Sequence, residues 1–130
     1  MSKFPSKILV AEDNPVNARL LVAMLERDGH EVTVASDGGK AVAISRIEHF
    51  DMILMDVNMP EMDGLEATRQ IRAGAAPMRD VTIVALTADD DGATQRDCIE
   101  AGMNAFLGKP VSMADLLKLL DPRAARGKRA

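Results

Sequence analysis

The sequence predicts a single α/β domain built on a doubly wound sheet of parallel strands. The chain has 130 residues, which is enough for one hydrophobic core. Short apolar runs alternate five times with segments whose apolar residues recur at helical spacing. Runs such as Ile53–Met55 contain no polar residue, which is typical of strands that helices cover on both faces of a parallel sheet.

The five predicted strands follow one another at intervals that each leave room for one helix. They are Lys7–Ala11, Glu31–Ala35, Asp51–Met55, Val81–Leu86 and Ala105–Leu107. The repeated strand–helix order and the short connections favour an open sheet of flavodoxin-like order 2-1-3-4-5, with helices on both faces.

The first predicted helix, Pro15–Asp28, has recognisable signals at both ends. Asn14 is suited to cap its N-terminus, and Pro15 is favoured at the first helical position. Gly29 is a natural C-terminal stop. The remaining predicted helices are Gly39–His49, Leu65–Arg72, Asp91–Ala101 and Met113–Leu120.

Composition excludes several classes of function. The net charge of −4 gives no basis for nucleic-acid binding, and the absence of Trp and Tyr removes the usual stacking platforms for bases or flavin rings. Apolar runs are too short to span a membrane, and no signal-peptide core follows Met1. The lone cysteine, Cys98, cannot form an intrachain disulfide, which fits a cytoplasmic location.

The C-terminal end and the two histidines have ordinary structural explanations. We expect one domain over residues 1–122 and a disordered basic tail over residues 123–130, which contains Arg123, Arg126, Lys128 and Arg129. His30 and His49 stand at predicted element boundaries, where solvated surface positions suffice to explain them.

Polar residues that carry chemistry collect at one edge of the predicted sheet. Ligands of open parallel sheets bind beyond the carboxyl ends of the strands. Glu12 and Asp13 follow the first strand, Asp56 the third, Thr87 the fourth and Lys109 the fifth. Because the first and third strands are predicted neighbours, three carboxylates should meet there, with Thr87 and Lys109 beside them.

This combination favours phosphoryl chemistry assisted by a cation. Carboxylates at close quarters repel one another, and a hard divalent ion such as Mg²⁺ relieves the repulsion. Asp56 is then a suitable nucleophile, while the Lys109 ammonium and the Thr87 hydroxyl can bind phosphoryl oxygens. Each residue alone has an ordinary explanation as a solvated turn, a surface charge or a helix cap. Their joint placement at strand ends is hard to explain as coincidence.

Four segments resemble the response-regulator receiver family, over roughly residues 6 to 120. They are Glu12–Asp13, Met55–Gly64, Leu86–Ala88 and Lys109–Pro110. Finer features resemble the receivers attached to hybrid histidine kinases; these are Glu12–Asn17, Gly64–Thr68 and Gly102–Phe106. Whether the chain is a single-domain regulator or a piece of a larger protein stays open.

The resemblance implies a role for each residue of the site. Asp56 would accept a phosphoryl group from a phosphohistidine of a histidine kinase or histidine phosphotransfer domain, and Thr87 and Lys109 would bind that group. Mg²⁺, for which Mn²⁺ can substitute, would be held by Glu12, Asp13, Asp56 and the Asn58 carbonyl. A cis peptide bond would precede Pro110. The chain would be a signalling switch, not an enzyme, that assists its own phosphorylation and dephosphorylation.

The resemblance also implies an output and a lifetime. Thr87 and Phe106 would switch the face formed by the fourth helix, the fifth strand and the fifth helix, where a downstream protein binds. Asn58 and Asp89 flank the approach of water to the acyl phosphate. Both are polar and short, so they leave room for water, and we expect comparatively rapid self-dephosphorylation.

Three other functions are compatible with parts of the sequence. A phosphatase of the haloacid-dehalogenase type also uses Mg²⁺ and an aspartyl nucleophile, but it needs a second acid two residues later, where this chain has Asn58. A flavin carrier of the same fold would need a phosphate-binding first loop, and Glu12 and Asp13 would repel a phosphate. A purely structural interaction domain leaves the acidic cluster without a purpose.

Overall fold

The computed structural model describes residues 6–75, 77–88 and 92–120. They form a five-stranded sheet in the order β2-β1-β3-β4-β5, with every neighbouring pair parallel. The strands are β1 (Lys7–Ala11), β2 (Glu31–Ala35), β3 (Met52–Asp56), β4 (Thr82–Thr87) and β5 (Ala105–Gly108). The predicted fold class and strand order are confirmed.

Five α-helices connect or follow the strands. They are α1 (Pro15–Arg27), α2 (Gly38–Ile47), α3 (Gly64–Arg72), α4 (Gly92–Ala101) and α5 (Met113–Leu120). A short 3₁₀ helix, Met78–Asp80, precedes β4 and was not predicted. Strands β3 and β4 each begin and end one residue later than predicted, so that Asp56 and Thr87 are the last residues of their strands.

The core has two layers, one on each face of the sheet. On one face α2, α3 and α4 bury side chains such as Ala41, Ile71 and Cys98. On the other, α1 and α5 bury Leu21, Leu25 and Leu116, among others. All five residues of β3 are buried. Packing on both faces therefore fixes the central strands, whose carboxyl ends carry the polar residues.

The local signals at the ends of α1 act as predicted. The Asn14 side chain accepts hydrogen bonds from the backbone N–H groups of Val16 and Asn17, at 2.9 and 3.1 Å. Pro15 occupies the first helical position. Gly29 adopts a positive φ of 93° after the helix, a conformation that glycine reaches without steric cost.

The expectation of a solvated His30 is wrong. The His30 side chain is buried, because the turn after α1 folds back onto the start of β1. Its Nδ1 accepts a hydrogen bond from the Ser6 backbone N–H, and its Nε2 lies 2.9 Å from Asp28 Oδ2. An imidazole supplies one acceptor and one donor, which matches these two partners. His49 is exposed, as expected.

Some predictions fall on other parts of the chain. Asp89, the domain boundary at residue 122 and the basic tail 123–130 lie outside the described residues. Across the helices that the structure describes, none is both long enough and apolar enough to cross a membrane.

Candidate functional site

Three carboxylates meet at the carboxyl ends of β1 and β3. One carboxylate oxygen from each of Glu12, Asp13 and Asp56 lies within 4.8 Å of the others. The two strands are neighbours in register, which brings the residues after β1 beside the end of β3. Glu12 and Asp56 are buried, whereas Asp13 is exposed. The cluster therefore opens to solvent on the Asp13 side.

Lys109 brings one positive charge into this cluster. Its Nζ lies 2.8 Å from Asp56 Oδ2 and 3.2 Å from Glu12 Oε1. Burial lowers the pKa of Lys109, but the hydrogen bond and charge of Asp56 and then the Glu12 carboxylate outweigh it, and the net shift is upward. The ammonium stays charged in the site. The Lys109–Pro110 peptide bond is cis, which confirms what the family resemblance implied.

Only one of the two Glu12 carboxylate oxygens accepts a well-formed hydrogen bond within the described residues. Its Oε2 accepts a hydrogen bond from the Asn14 backbone N–H at 3.2 Å, a second role for Asn14 that the sequence did not reveal. Its Oε1 is buried and has no hydrogen-bond partner within the described ranges, with the Lys109 ammonium at ion-pair distance. A buried carboxylate oxygen that has an ammonium nearby but no well-aligned hydrogen bond is incompletely compensated for its loss of water.

The donor set fits a hard divalent cation. Three carboxylates facing one ammonium leave two uncompensated negative charges, and every candidate ligand atom is an oxygen. Mg²⁺ prefers oxygen ligands and retains several waters, which can donate to an oxygen such as Glu12 Oε1. The unsatisfied Glu12 oxygen and the surplus negative charge therefore both suit a hydrated Mg²⁺.

The Asp56 carboxylate is oriented from two sides. Its Oδ1 accepts a hydrogen bond from the Asn58 backbone N–H at 3.1 Å, while Oδ2 faces Lys109. Asn58 lies in the loop of residues 57–63 that joins β3 to α3, called here the β3–α3 loop. The Gly64 N–H closes this loop by donating to the Val57 carbonyl at 3.0 Å.

Gly64 also allows α3 to approach the acceptor. A Cβ on Gly64 would overlap the backbone carbonyl oxygen of Asp56. The glycine at the start of α3 thus has a steric reason, which the sequence alone did not disclose.

Thr87 and Phe106 lie on the neighbouring strands. Thr87 ends β4, is buried, and pairs with Gly108 of β5. Asp56 pairs with Leu86, so Thr87 stands one residue beyond the acceptor at the same edge. Phe106 is partly buried against the core layer of α2, α3 and α4. The structure thus brings together Glu12, Asp13, Asp56, Asn58, Thr87 and Lys109, whereas Phe106 lies further down β5.

Comparison with known proteins gives one family. The model of the response regulator receiver domain matches residues 8–121. The osmosensing histidine protein kinase SLN1 of Saccharomyces cerevisiae is 42% identical over 120 residues, covering 88% of this chain and 10% of the kinase. The sensor protein GacS of Pseudomonas syringae is 38% identical over 122 residues, covering 92% and 14%. The chain therefore spans only a small part of these relatives.

Solved structures agree with this match. The receiver domain of sensor histidine kinase PA1611 from Pseudomonas aeruginosa, with magnesium coordinated in its active site cleft, has a TM-score of 0.83 and 43% identity, covering 90% of this chain and 95% of that one. Chemotaxis protein CheY4 of Vibrio cholerae has a TM-score of 0.84 and 30% identity, covering 90% and 97%. The Saccharomyces cerevisiae receiver domain of Ssk1, crystallised with the histidine phosphotransfer protein Ypd1, gives a TM-score of 0.82 at 32% identity, covering 91% and 88%.

Proposed function

Because the chain belongs to the response regulator receiver domain family, we propose that Asp56 accepts a phosphoryl group from a phosphohistidine and that this modification switches a protein-binding face. The single observation that carries the proposal is the geometry of Asp56. Its carboxylate is buried among two other carboxylates, yet one oxygen faces the Lys109 ammonium at 2.8 Å.

The transfer is a displacement at phosphorus. An Asp56 carboxylate oxygen forms the new P–O bond, the P–N bond to the donor imidazole breaks, and its electron pair stays on the imidazole nitrogen. The Asn58 N–H holds Oδ1, which fixes the plane of the carboxylate. Lys109 and Thr87 then bind oxygens of the transferred group, which offsets their negative charge.

Glu12, Asp13, Asp56 and the Asn58 carbonyl would hold Mg²⁺, and Mn²⁺ can take its place because it accepts the same oxygen ligands. The bound cation supplies neutralisation of the charge on the carboxylates and on the phosphoryl oxygens. Support comes from the all-oxygen donor set and from the buried Glu12 Oε1, which makes no well-aligned hydrogen bond to the residues that the structure describes.

The donor is a histidine kinase or a histidine phosphotransfer domain. The open side of the cluster is the Asp13 side, and α1 begins two residues later. Val16 and Leu20 of α1 are 63% and 57% exposed. Apolar side chains beside a charged site are a suitable contact for a docking helix that presents a phosphohistidine. The lone buried Cys98 fits a reducing compartment, and we place this exchange in the cytoplasm.

The output face comprises α4, β5 and α5. Phosphorylation would draw the Thr87 hydroxyl towards the new oxygens, which vacates space that Phe106 can occupy. A downstream protein that prefers the phosphorylated arrangement would then bind this face. The chain acts as a switch that assists its own phosphorylation and dephosphorylation, not as an enzyme with a separate substrate.

A phosphatase of the haloacid-dehalogenase type is not supported. The position two residues after Asp56 holds Asn58, whose amide cannot serve as a general acid or base at neutral pH.

Phosphotransfer from a purified phosphorylated histidine phosphotransfer domain tests the proposal. With Mg²⁺, label should move from the donor to this chain within minutes for at least one member of a panel, and EDTA should prevent transfer. Asp56→Asn is the matched control, since it keeps the shape of the side chain and removes the nucleophile. Transfer to Asp56→Asn at the parental rate would refute the assignment.

A further inference from the structure

The first turn of α2 lies directly against the β3–α3 loop. Gly38 is buried, and a Cβ on it would overlap the Met62 carbonyl oxygen. The same Cβ would lie 3.1 Å from the Met62 carbonyl carbon and 3.2 Å from the Asp63 carbonyl oxygen. These are backbone atoms, so no side-chain rotation can relieve the overlap. Any larger residue at position 38 must move the loop or the helix.

We propose that Gly38 is a positioning residue for the divalent cation. Because glycine has no Cβ, the β3–α3 loop can pack closely against α2, in the position from which the Asn58 carbonyl would bind the ion. This inference rests on the proposed function, because the ion is the group that the loop would help to hold. Gly38 touches no ligand itself and acts through Met62 and the loop backbone.

The β3–α3 loop is short and attached at several points. Gly64 N–H donates to the Val57 carbonyl at 3.0 Å, and the Asp63 carboxylate accepts a hydrogen bond from Glu66 N–H at 2.9 Å. Met59 is buried in the core between these attachments. A displacement of the Met62 backbone therefore cannot be accommodated at the two ends of the loop. It is transmitted to Asn58, four residues earlier in the chain.

The helix is held more firmly than the loop. Ala41 and Val42 of α2 are buried in the core, and the Asp37 side chain caps the helix by accepting from Lys40 N–H at 2.8 Å. In the loop, by contrast, Asn58 and Glu61 are exposed. An added methyl group at position 38 should displace the loop. Mg²⁺ demands near-ideal octahedral geometry at about 2.0–2.1 Å, so a small displacement of one ligand weakens binding.

The adjacent glycine provides a matched control. A Cβ on Gly39 would meet only the Asp37 carboxylate oxygen, at 3.4 Å. Both glycines belong to the first turn of α2, so alanine at either position brings a similar gain in helix propensity, of at most ~1 kcal/mol. Only the alanine at position 38 meets the loop.

Calorimetric titration with Mg²⁺ of the parent, Gly38→Ala and Gly39→Ala tests the proposal, with thermal unfolding of each protein in EDTA. Gly38→Ala should raise the Mg²⁺ Kd about tenfold, a change typical of residues that orient a metal ligand without binding the metal themselves. Gly39→Ala should change it by less than about twofold. A role in folding alone would lower the Tm in EDTA and leave the Kd unchanged. An unchanged Kd in folded Gly38→Ala overturns the inference, while a parent that binds no Mg²⁺ refutes the proposed function itself.

If Gly38→Ala does not fold, a measurement on the parent tests the proposed role of Gly38. Mg²⁺ should suppress local opening of the α2 first turn, because the ion fixes the loop that packs on Gly38. The amides of Lys40 and Ala41, bonded to Asp37, should then exchange at least about threefold more slowly with Mg²⁺, relative to the remote Met103 amide bonded to Cys98. Equal changes at all three amides, or none, would contradict the coupling.

Discussion

The Lys109 ammonium contacts both buried carboxylates of the site, at 2.8 Å from Asp56 Oδ2 and 3.2 Å from Glu12 Oε1. It is the positive charge that faces these carboxylates within the described residues. Lys109 directly follows β5, which lies two strands away from β3 in the sheet. The protein itself therefore partly neutralises the acceptor before any cation or phosphoryl group binds. This arrangement makes stability and cation binding depend on the same few charges.

Lys109→Met should destabilise the protein most strongly when no Mg²⁺ is present. The substitution keeps most of the apolar part of the side chain but removes the Lys109 charge that faces the buried Glu12 and Asp56 carboxylates. Breaking a buried pair costs ~3–5 kcal/mol, and since Lys109 is partly exposed we expect about 1–3 kcal/mol. Mg²⁺ should recover part of this loss, so its stabilising effect should be larger than in the parent. Urea unfolding with EDTA or Mg²⁺ measures both, and Lys118→Met on the exposed side of α5 is the control.

Asp13→Ala should abolish the stabilisation by Mg²⁺. An ion that binds only the folded state raises its stability by RT ln(1 + [Mg²⁺]/Kd), and Asp13 is the exposed carboxylate of the cluster. Without Mg²⁺ the variant should be as stable as the parent or more so, because one repelling charge is gone. Thermal unfolding over a Mg²⁺ series provides the readout. A normal Mg²⁺ response in Asp13→Ala, matching that of the α4 control Asp97→Ala, would show that the ion binds elsewhere.

Glu61→Asn should stabilise the protein. Glu61 is exposed and has a φ of 66°, the left-handed region that costs most L-residues about 1–2 kcal/mol and asparagine less. Since no buried contact is lost, we expect a gain of roughly 0.5–1 kcal/mol in the free energy of unfolding. Chemical denaturation of the two proteins checks this. A loss of stability would mean that the Glu61 side chain contributes more than its backbone conformation costs.

Replacing Asn58 and Asp89 together should lengthen the life of the phosphorylated form. The family resemblance implies that water would approach the acyl phosphate beside these two positions, and Asn58 is exposed at the site. In Asn58→Met/Asp89→Arg the bulkier side chains should obstruct and no longer orient the water, so that decay slows severalfold. Loss of label from phosphoprotein gives the rate. An unchanged or faster rate in the variant would contradict this role for the two side chains.

Much of the fold can be predicted from the sequence because the signals for its strands and helix ends are local. The uninterrupted apolar runs of β1, β3 and β4 identify strands buried on both faces, and Asn14, Pro15 and Gly29 mark the ends of α1. The site followed from the fold, since parallel strands bring their carboxyl ends to one edge. This rule was sufficient to predict the cluster of Glu12, Asp13, Asp56 and Lys109.

What the sequence did not reveal depends on tertiary neighbours. The burial of His30 requires Ser6 and Asp28 to converge on its ring, which no local pattern encodes. Gly38 and Gly39 are indistinguishable in sequence, yet only one of them faces a neighbouring backbone. The 3₁₀ helix Met78–Asp80 is too short to show a periodicity.

We propose Asp56 as the phosphoacceptor of a cation-dependent site, and the mass of the intact protein tests this role most directly. The parent, incubated with acetyl phosphate, should gain one phosphoryl group when Mg²⁺ is present and none in EDTA. Asp56→Asn should gain none under either condition, although its amide preserves the shape of the side chain. A Mg²⁺-dependent gain of one phosphoryl group by Asp56→Asn would contradict the account.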